Sequence, residues 1–170
     1  MVGITEGCAE RYGGTTRVSE GTAPDVKARS HSITATLVIP PGGTEGVIVA
    51  AGGSAGYAFF VKDGELMYEN SFFGRERDLL WAGVKLPEGE VKVAFHYTHE
   101  SKDYGGGGSA RLSVDGKDVA TGTFAHVGPA RYSATETMDI GRDLGEAVSH
   151  QYEGPFAFTG TLKDVVFEIG

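Results

Sequence analysis

Apolar and polar residues alternate with period two in SHSITATLVIP, where Ile33, Ala35, Leu37 and Ile39 fall on one face and Pro40 and Pro41 end the run. This is the period of a strand buried on one side only. The pattern recurs in GVIVAAGG, GYAFFVKDGELMYEN, GEVKVAFHYTHE, ARLSVDGKDVATGTF and GTLKDVVFEI, each bounded by glycine or turn residues. Strands at that spacing predict an all-β, antiparallel sandwich or barrel. Two runs contain Asp-Gly, at Asp63-Gly64 and Asp115-Gly116, between β-prone arms. Each predicts a tight hairpin whose turn residues take positive φ. No stretch combines helical periodicity with caps at both ends, and GRERDLLWAGVKL is expected to form a short turn of helix at most.

Residues 1–29 lack sustained periodicity and are rich in Gly, Thr, Ser and Pro, so an irregular arm crossing the surface is expected there, with the sandwich domain over 30–170. SKDYGGGGSA reads as a flexible loop tip between two strands, or alternatively as a mobile lid over a ligand.

The 170 residues make one ordinary domain, and 27 Gly with 6 Pro agree with frequent chain reversals and few long helices. Fifteen basic against 23 acidic residues leave a net charge of -8, which repels nucleic-acid phosphates and anionic lipid headgroups. Neither nucleic acid nor membrane is an expected partner. No apolar run reaches the roughly 18 residues that span a bilayer, and the opening MVGITEGCAERYGG has no basic or apolar leader region. With Cys8 as the single cysteine no intrachain disulfide is expected, and no compartment is assigned.

Several catalytic patterns can be weighed directly. Gly52-Gly53-Ser54-Ala55-Gly56 matches the nucleophile elbow, but the elbow needs a strand-to-helix turn and the residues that follow read as a strand. A Gly-rich β-turn is expected instead. His96 and His99 are three apart, which sends them to opposite faces of a strand and disfavours zinc. Glu136 and Asp139 fail the even spacing of paired glycosidase carboxylates in the same way. Asp139 and Asp143 are weak candidates for a rim Ca²⁺ site, set against simple turn capping. Tyr57, Phe59, Tyr68, Phe72, Phe73, Trp81, Phe95 and Tyr97 crowd the central strands, and some are expected to be exposed. Sugar binding needs flat rings with polar neighbours, which selects Tyr68, Asn70, Phe73, Arg75, Arg77, Trp81 and His96 as candidate ligand contacts. The competing reading leaves most of these rings in the core.

The phrases RVSEGTAPDVKARSHSITATLVIPPGGTEGVIVAAGG, VKDGELMYENSFFG, LSVDGKDVATG and DIGRDLGEAVSHQYEGPFAFTGTLKDVVFEIG, in that order, resemble the C-terminal domain of bacterial-type arylsulfatases of the alkaline-phosphatase superfamily. The resemblance implies a concanavalin A or laminin-G type jelly-roll sandwich appended to a catalytic domain. Sulfatase chemistry in that family rests on Cys-x-Pro-x-Arg or Cys-x-Ala-x-Arg. Here CAERY puts Glu10 and Tyr12 at the second and fourth places after Cys8, and the aspartate-rich metal cluster has no counterpart. The chain alone is therefore expected to be non-catalytic. Three readings stand: an accessory domain that supports a sulfate-ester hydrolase, by self-association or by docking onto a separate sulfatase chain; an independent carbohydrate-binding module for glycans that include sulfated ones; and a free-standing hydrolase.

Overall fold

A computed structural model describes residues 9–12, 18, 23–53, 55–128, 137–144 and 147–170. Its strands are β1 (Ala9–Tyr12), β2 (His31–Ile39), β3 (Gly46–Gly52), β4 (Gly56–Lys62), β5 (Glu65–Phe72), β6 (Glu76–Lys85), β7 (Gly89–His99), β8 (Gly106–Val114), β9 (Lys117–His126), β10 (Met138–Ile140) and β11 (Thr161–Ile169). They form a front sheet of six strands, in the order β1-β11-β2-β7-β8-β9, and a back sheet of five, in the order β10-β3-β4-β5-β6. Every strand pairing is antiparallel.

The alternating face of β2 does what its period demands: Ile33, Ala35, Leu37 and Ile39 are all buried between the sheets. They meet Val93, Phe95, Leu112, Val165 and Phe167 of the front sheet and Phe59, Leu66, Tyr68 and Leu80 of the back sheet. Tyr68 and Phe95 stack across the sandwich with ring centroids 3.5 Å apart. Each such fully buried large side chain contributes about 1.5–3 kcal/mol.

A second apolar cluster lies on the far side of the back sheet, where Val47, Ala50, Ala58, Phe60 and Met67 are covered by Val148 and Tyr152. These last two belong to the segment between β10 and β11. The sheet interior β3-β4-β5 is thus apolar on both faces, which is why GVIVAAGG and GYAFFVK read as continuous rather than alternating runs. The two cores together absorb the crowded aromatics, leaving Phe73 and Trp81 as the exposed ones among those weighed above.

Both Asp-Gly hairpins form, with φ of 52° and 78° at Asp63-Gly64 and 49° and 81° at Asp115-Gly116. Three segments differ from expectation. GRERDLLWAGVKL supplies β6, not a helical turn, because its alternate residues Leu80 and Ala82 reach the core. The glycine run is neither loop tip nor lid: Gly106, Gly107 and Gly108 open β8. A Cβ on Gly107 would lie 1.8 Å from the Phe124 carbonyl oxygen, and one on Gly108 would lie 1.9 Å from that of Thr98. Glycine is required there for close backbone approach, not for flexibility. The first 29 residues also contribute more than a surface arm, since Ala9–Tyr12 pairs with β11 and Val26 is buried in the core. A four-residue strand is too short to register as periodicity.

Among the described residues no helix is long and apolar enough to cross a membrane.

Candidate functional site

On the outer side of the front sheet Thr98, Arg111, Thr121 and Thr123 are exposed and Ser32, His96 and Ser109 half-buried, so these residues can meet a ligand. Strand register puts Ser32, His96, Arg111 and Thr121 in one row across β2, β7, β8 and β9. Thr98, Ser109 and Thr123 form the next row, toward the end of the sandwich where β7 ends and β8 begins. An open recess of about 250 Å³ is lined by His96, Thr98, Ser109, Ala110, Arg111, Thr121 and Gly122.

Gly122 belongs to the construction of this floor. A Cβ there would meet Leu80 Cδ2 of the back sheet at 2.6 Å, so a larger residue would have to displace the Leu80 side chain.

The side chains of the recess are held but not saturated. Arg111 Nη1 donates to Asp118 Oδ1 at 2.7 Å, with the two side chains 45% and 52% exposed. His96 Nε2 lies 3.3 Å from Ser113 Oγ. Burial, and next the positive charge of Arg111, hold His96 below the ordinary imidazole value. At pH 7 it is therefore a neutral ring offering one donor and one acceptor. Ser109 Oγ donates to Glu100 Oε1 at 3.0 Å. A polyhydroxylated ligand would find alternating donors and acceptors here. A carboxylate or sulfate would find a guanidinium whose planar donors suit bidentate contact.

A larger cleft, of about 400 Å³, opens at the β4–β5 hairpin end between Gly42, Gly43, Thr44, Glu45, Asp63, Gly64, Lys85 and Thr159. Its two threonine hydroxyls bond each other at 2.9 Å, and its two carboxylates outnumber its one lysine. It suits an anionic ligand poorly.

Of the seven candidate contacts, only His96 reaches the recess. Tyr68 is a core residue, 3% exposed, and cannot stack on a ligand. Asn70 is buried with its Nδ2 donating to the His126 carbonyl at 2.8 Å, so it fastens β5 to the end of β9. Arg77 lies on the outer side of the back sheet, where Nη1 donates to Glu69 Oε1 at 2.9 Å and to the Val148 carbonyl at 2.5 Å. It clamps the covering segment and is not free for a ligand. Trp81 is 58% exposed on β6, at the edge of the back sheet, with its indole N–H on Glu65 Oε2 at 2.5 Å. Phe73 and Arg75 sit at the β5–β6 turn, both exposed. Residues adjacent in sequence were divided by strand alternation between three surfaces and the core.

Asp139 and Asp143 are buried acceptors that fold the segment after β10. Leu144 N–H donates to Asp139 Oδ2 at 2.9 Å, and Val148 N–H and the Tyr152 hydroxyl donate to Asp143 Oδ2 at 3.0 and 2.6 Å. Burial, then the neighbouring Asp143 charge, drives the Tyr152 hydroxyl far above the ordinary phenol range. Asp139 and Asp143 thus serve as turn acceptors, the alternative weighed against a Ca²⁺ role, and among the described residues no group of three or more His, Cys, Asp and Glu side chains is placed to hold a metal.

His96 and His99 separate as expected: His96 faces outward, while His99 Nδ1 lies 2.9 Å from the hydroxyl of buried Tyr97. The Gly52–Gly56 elbow match joins antiparallel β3 and β4, with Gly52 paired to Gly56 and no helix following. Ser54 itself lies outside the described residues, as do Cys8 and Glu136.

Sequence reasoning missed Thr98, Ser109, Arg111 and Thr121. Their signal was the Ser/Thr-rich outward phase of HYTH, SARLS and ATGTF. That phase was visible, but the register that joins the strands was not.

No family model and no curated protein matches the chain. Solved structures do. The CBM40 domain of the Ruminococcus gnavus IT-sialidase, bound to α2,3-sialyllactose, superposes with a TM-score of 0.61 at 13% identity, over 93% of this chain and 90% of that one. The chain is a concanavalin A/laminin-G-like sandwich. Domains LG4-5 of the mouse laminin α1 chain match with a TM-score of 0.54 at 14% identity, over 99% of this chain and 43% of that one. Domain 4 of AbnA, an extracellular GH43 arabinanase of Geobacillus stearothermophilus in complex with arabinotriose, gives 0.57 at 16%, over 95% and 70%. These similarities support the fold part of the arylsulfatase resemblance and add nothing to its sulfatase part.

Proposed function

We propose that the chain is a carbohydrate-binding module whose ligand lies across the outer side of the front sheet, in the recess around His96 and Arg111. One observation carries the reading: an open recess large enough for a sugar ring brings together the hydroxyls of Thr98, Ser109 and Thr121, a neutral imidazole and a half-exposed guanidinium, with Ala110 and Gly122 between them. The solved structures that share the fold include one bound to sialyllactose and one bound to arabinotriose, which makes sugars the natural first probes. Arg111 favours an acidic sugar, carboxylated or sulfated, over a neutral one.

The sequence likeness to arylsulfatase C-terminal domains fits the same reading, with a module that holds a sulfated glycan near a sulfate-ester hydrolase. The exposed apolar residues Leu79, Trp81 and Val84 of β6 favour docking of that kind, or self-association, at the back-sheet edge.

Isothermal titration against α2,3-sialyllactose, arabinotriose, a sulfated oligosaccharide and its unsulfated parent tests the proposal, run with calcium and then with chelator. Saturable binding that weakens in Arg111→Ala supports it. Binding to none of the four removes the carbohydrate reading. Sedimentation velocity of the same sample over a concentration series addresses the β6 edge, where a monomer throughout would count against self-association.

A further inference from the structure

The cleft at the β4–β5 hairpin end, about 400 Å³, is within the size range of ligand pockets, and its walls are fixed by the backbone. The loop from β2 to β3 forms one wall. Glu45 N–H donates to Thr159 Oγ1 at 3.1 Å, and the Glu45 carbonyl accepts from the Thr159 N–H at 2.9 Å and from the Thr159 hydroxyl at 3.2 Å. Thr44, 7% exposed, holds its Oγ1 2.9 Å from Thr159 Oγ1. Glycine permits this closeness, since a Cβ on Gly46 would lie 2.4 Å from the Ala157 carbonyl oxygen. The Asp63-Gly64 turn and Lys85 form the other wall, with Leu86 N–H donating to the Gly64 carbonyl at 2.8 Å. The Lys85 stem runs over Gly64, its Cγ 3.5 Å from where a Gly64 Cβ would stand.

The charges on these walls are not used by the fold. Glu45, Asp63 and Lys85 are exposed, and among the described residues none of their charged groups makes a hydrogen bond or ion pair. Other exposed charges of the chain pair off, as Arg111 does with Asp118 and Lys163 with Glu90. Two carboxylates and one ammonium leave the cleft at -1 in a chain of net charge -8, so it favours a ligand of net positive charge. A bare metal ion would also face the Lys85 ammonium, and a neutral sugar would leave the carboxylates without a counter-charge. Gly42, Gly43 and Gly64 keep the rest of the lining free of side chains, which leaves room for a ring.

We infer that this cleft is a second saccharide site, selective for an amino sugar that carries a free ammonium. The ammonium meets the Glu45 and Asp63 carboxylates, and a ligand hydroxyl accepts from the Lys85 ammonium. Only the choice of a sugar as the carrier rests on the carbohydrate reading above; the charge selectivity rests on the cleft itself. The two sites are separate. The cleft adjoins the Ile39 end of β2, whereas Ser32 of the recess rows stands near the His31 end, and the strand between them spans roughly 23 Å.

The test is an NMR titration of the isotope-labelled chain with glucosamine, N-acetylglucosamine and glucose at pH 6, below the ordinary range of an amine. Glucosamine should bind at least about 5-fold more tightly than the two neutral sugars, as expected for charge-assisted contacts, and should shift the amide signals of Gly42, Gly43 and Gly64. Asp63→Asn keeps a residue that the turn accepts, and Glu45→Gln keeps the side-chain length, so both should retain the wild-type amide pattern. Each should weaken glucosamine about 3–10-fold with little effect on the neutral sugars, while Arg111→Ala leaves glucosamine unchanged. Equal binding of glucosamine and N-acetylglucosamine overturns the ammonium selectivity and the proposal with it. Shifts confined to the surroundings of His96 and Arg111, or glucosamine affinity unchanged in both carboxylate variants, overturn it too. No binding of glucosamine removes the cleft site and leaves the recess to its own titration. Failure of the recess reading looks different, since α2,3-sialyllactose then fails to bind while glucosamine still shifts the cleft.

Discussion

The interior strands of the back sheet, β3 to β5, are buried on both sides, whereas the front-sheet strands β2, β8 and β9 carry half-buried and exposed residues on their outer side. The difference is written in residue phase. β3 is buried at every position, while β2 and β11 alternate. What covers the back sheet is irregular chain, pinned by charges: Glu69 is 2% exposed, accepts from Arg77 at 2.9 Å and from the Ser149 hydroxyl at 2.7 Å, and sits beneath the segment that carries Val148 and Tyr152. On the outer side of the front sheet, among the described residues, Thr98, Arg111, Thr121 and Thr123 are exposed. Among the described residues, the cover over β3 to β5 leaves the outer side of the front sheet as the broader polar surface.

Removing Glu69 should break the comparison most severely. Glu69→Ala leaves Arg77, only 21% exposed, without its acid and Ser149 without an acceptor. Losing one partner of a buried pair costs about 3 kcal/mol or more. Urea unfolding should record that loss, and sugar affinity at the front sheet should be unchanged in the folded variant. A variant as stable as wild type would mean that the cover is held by its apolar contacts alone.

Two histidines sharpen the contrast between interior and face. His31 lies at the edge of the inter-sheet core, with Nδ1 2.8 Å from the Arg29 carbonyl and Nε2 buried with no hydrogen-bond partner among the described residues. Burial pushes its pKa down to about 4, from an ordinary 6.5. The unfolded chain therefore takes up a proton between pH 6.5 and about 4 that the folded chain refuses, so stability falls as pH falls through that window. Between pH 7 and pH 5 the loss attributable to His31 is about 2 kcal/mol. Denaturant curves for wild type and His31→Phe at the two pH values isolate it, and parallel changes in both proteins would assign the slope to other groups. His96, partly open on the front face, should move ligand affinity rather than the fold.

How much of this was legible in sequence follows from the range of each signal. Period-two alternation is local, so β2 and its inward Ile33, Ala35, Leu37 and Ile39 could be read directly. Turn chemistry is local too, and Asp-Gly marked two hairpins. The Phe73-Gly74 turn escaped because its first residue obeys no turn preference. The second core escaped because its lid, Val148 and Tyr152, sits on chain with no period. The recess depends on register: His96 and Arg111 are opposed across β7 and β8, and nothing local in either strand announces that pairing. Arg75 and Arg77, close to the aromatics in sequence, were chosen over Arg111 for want of that register. The glycine run was misread because composition cannot distinguish a glycine that frees the backbone from one that lets two backbones touch.

Arg111→Ala moves in the opposite direction from Glu69→Ala. Its ion pair with Asp118 is half exposed and contributes little to the fold, so unfolding should change by less than about 0.5 kcal/mol. Affinity for an acidic sugar should fall about 10-fold, as expected for one lost charge-assisted contact, with a smaller effect on a neutral sugar. Equal losses for both would show that Arg111 shapes the recess without reading charge.

The smallest expected effect discriminates most finely between a structural and a recognition role for the same guanidinium. Asp118 neutralises Arg111 from the neighbouring strand, and a bound carboxylate or sulfate would have to share or displace it. In Asp118→Asn the guanidinium keeps a hydrogen-bond acceptor but loses its counter-charge, so an acidic sugar should bind about 2–3-fold more tightly, most clearly at low ionic strength. A neutral sugar should be indifferent. Weaker binding of the acidic sugar in Asp118→Asn would mean that the pair holds Arg111 in its binding rotamer, and that the front face is organised by its ion pair much as the back face is by Glu69 and Arg77.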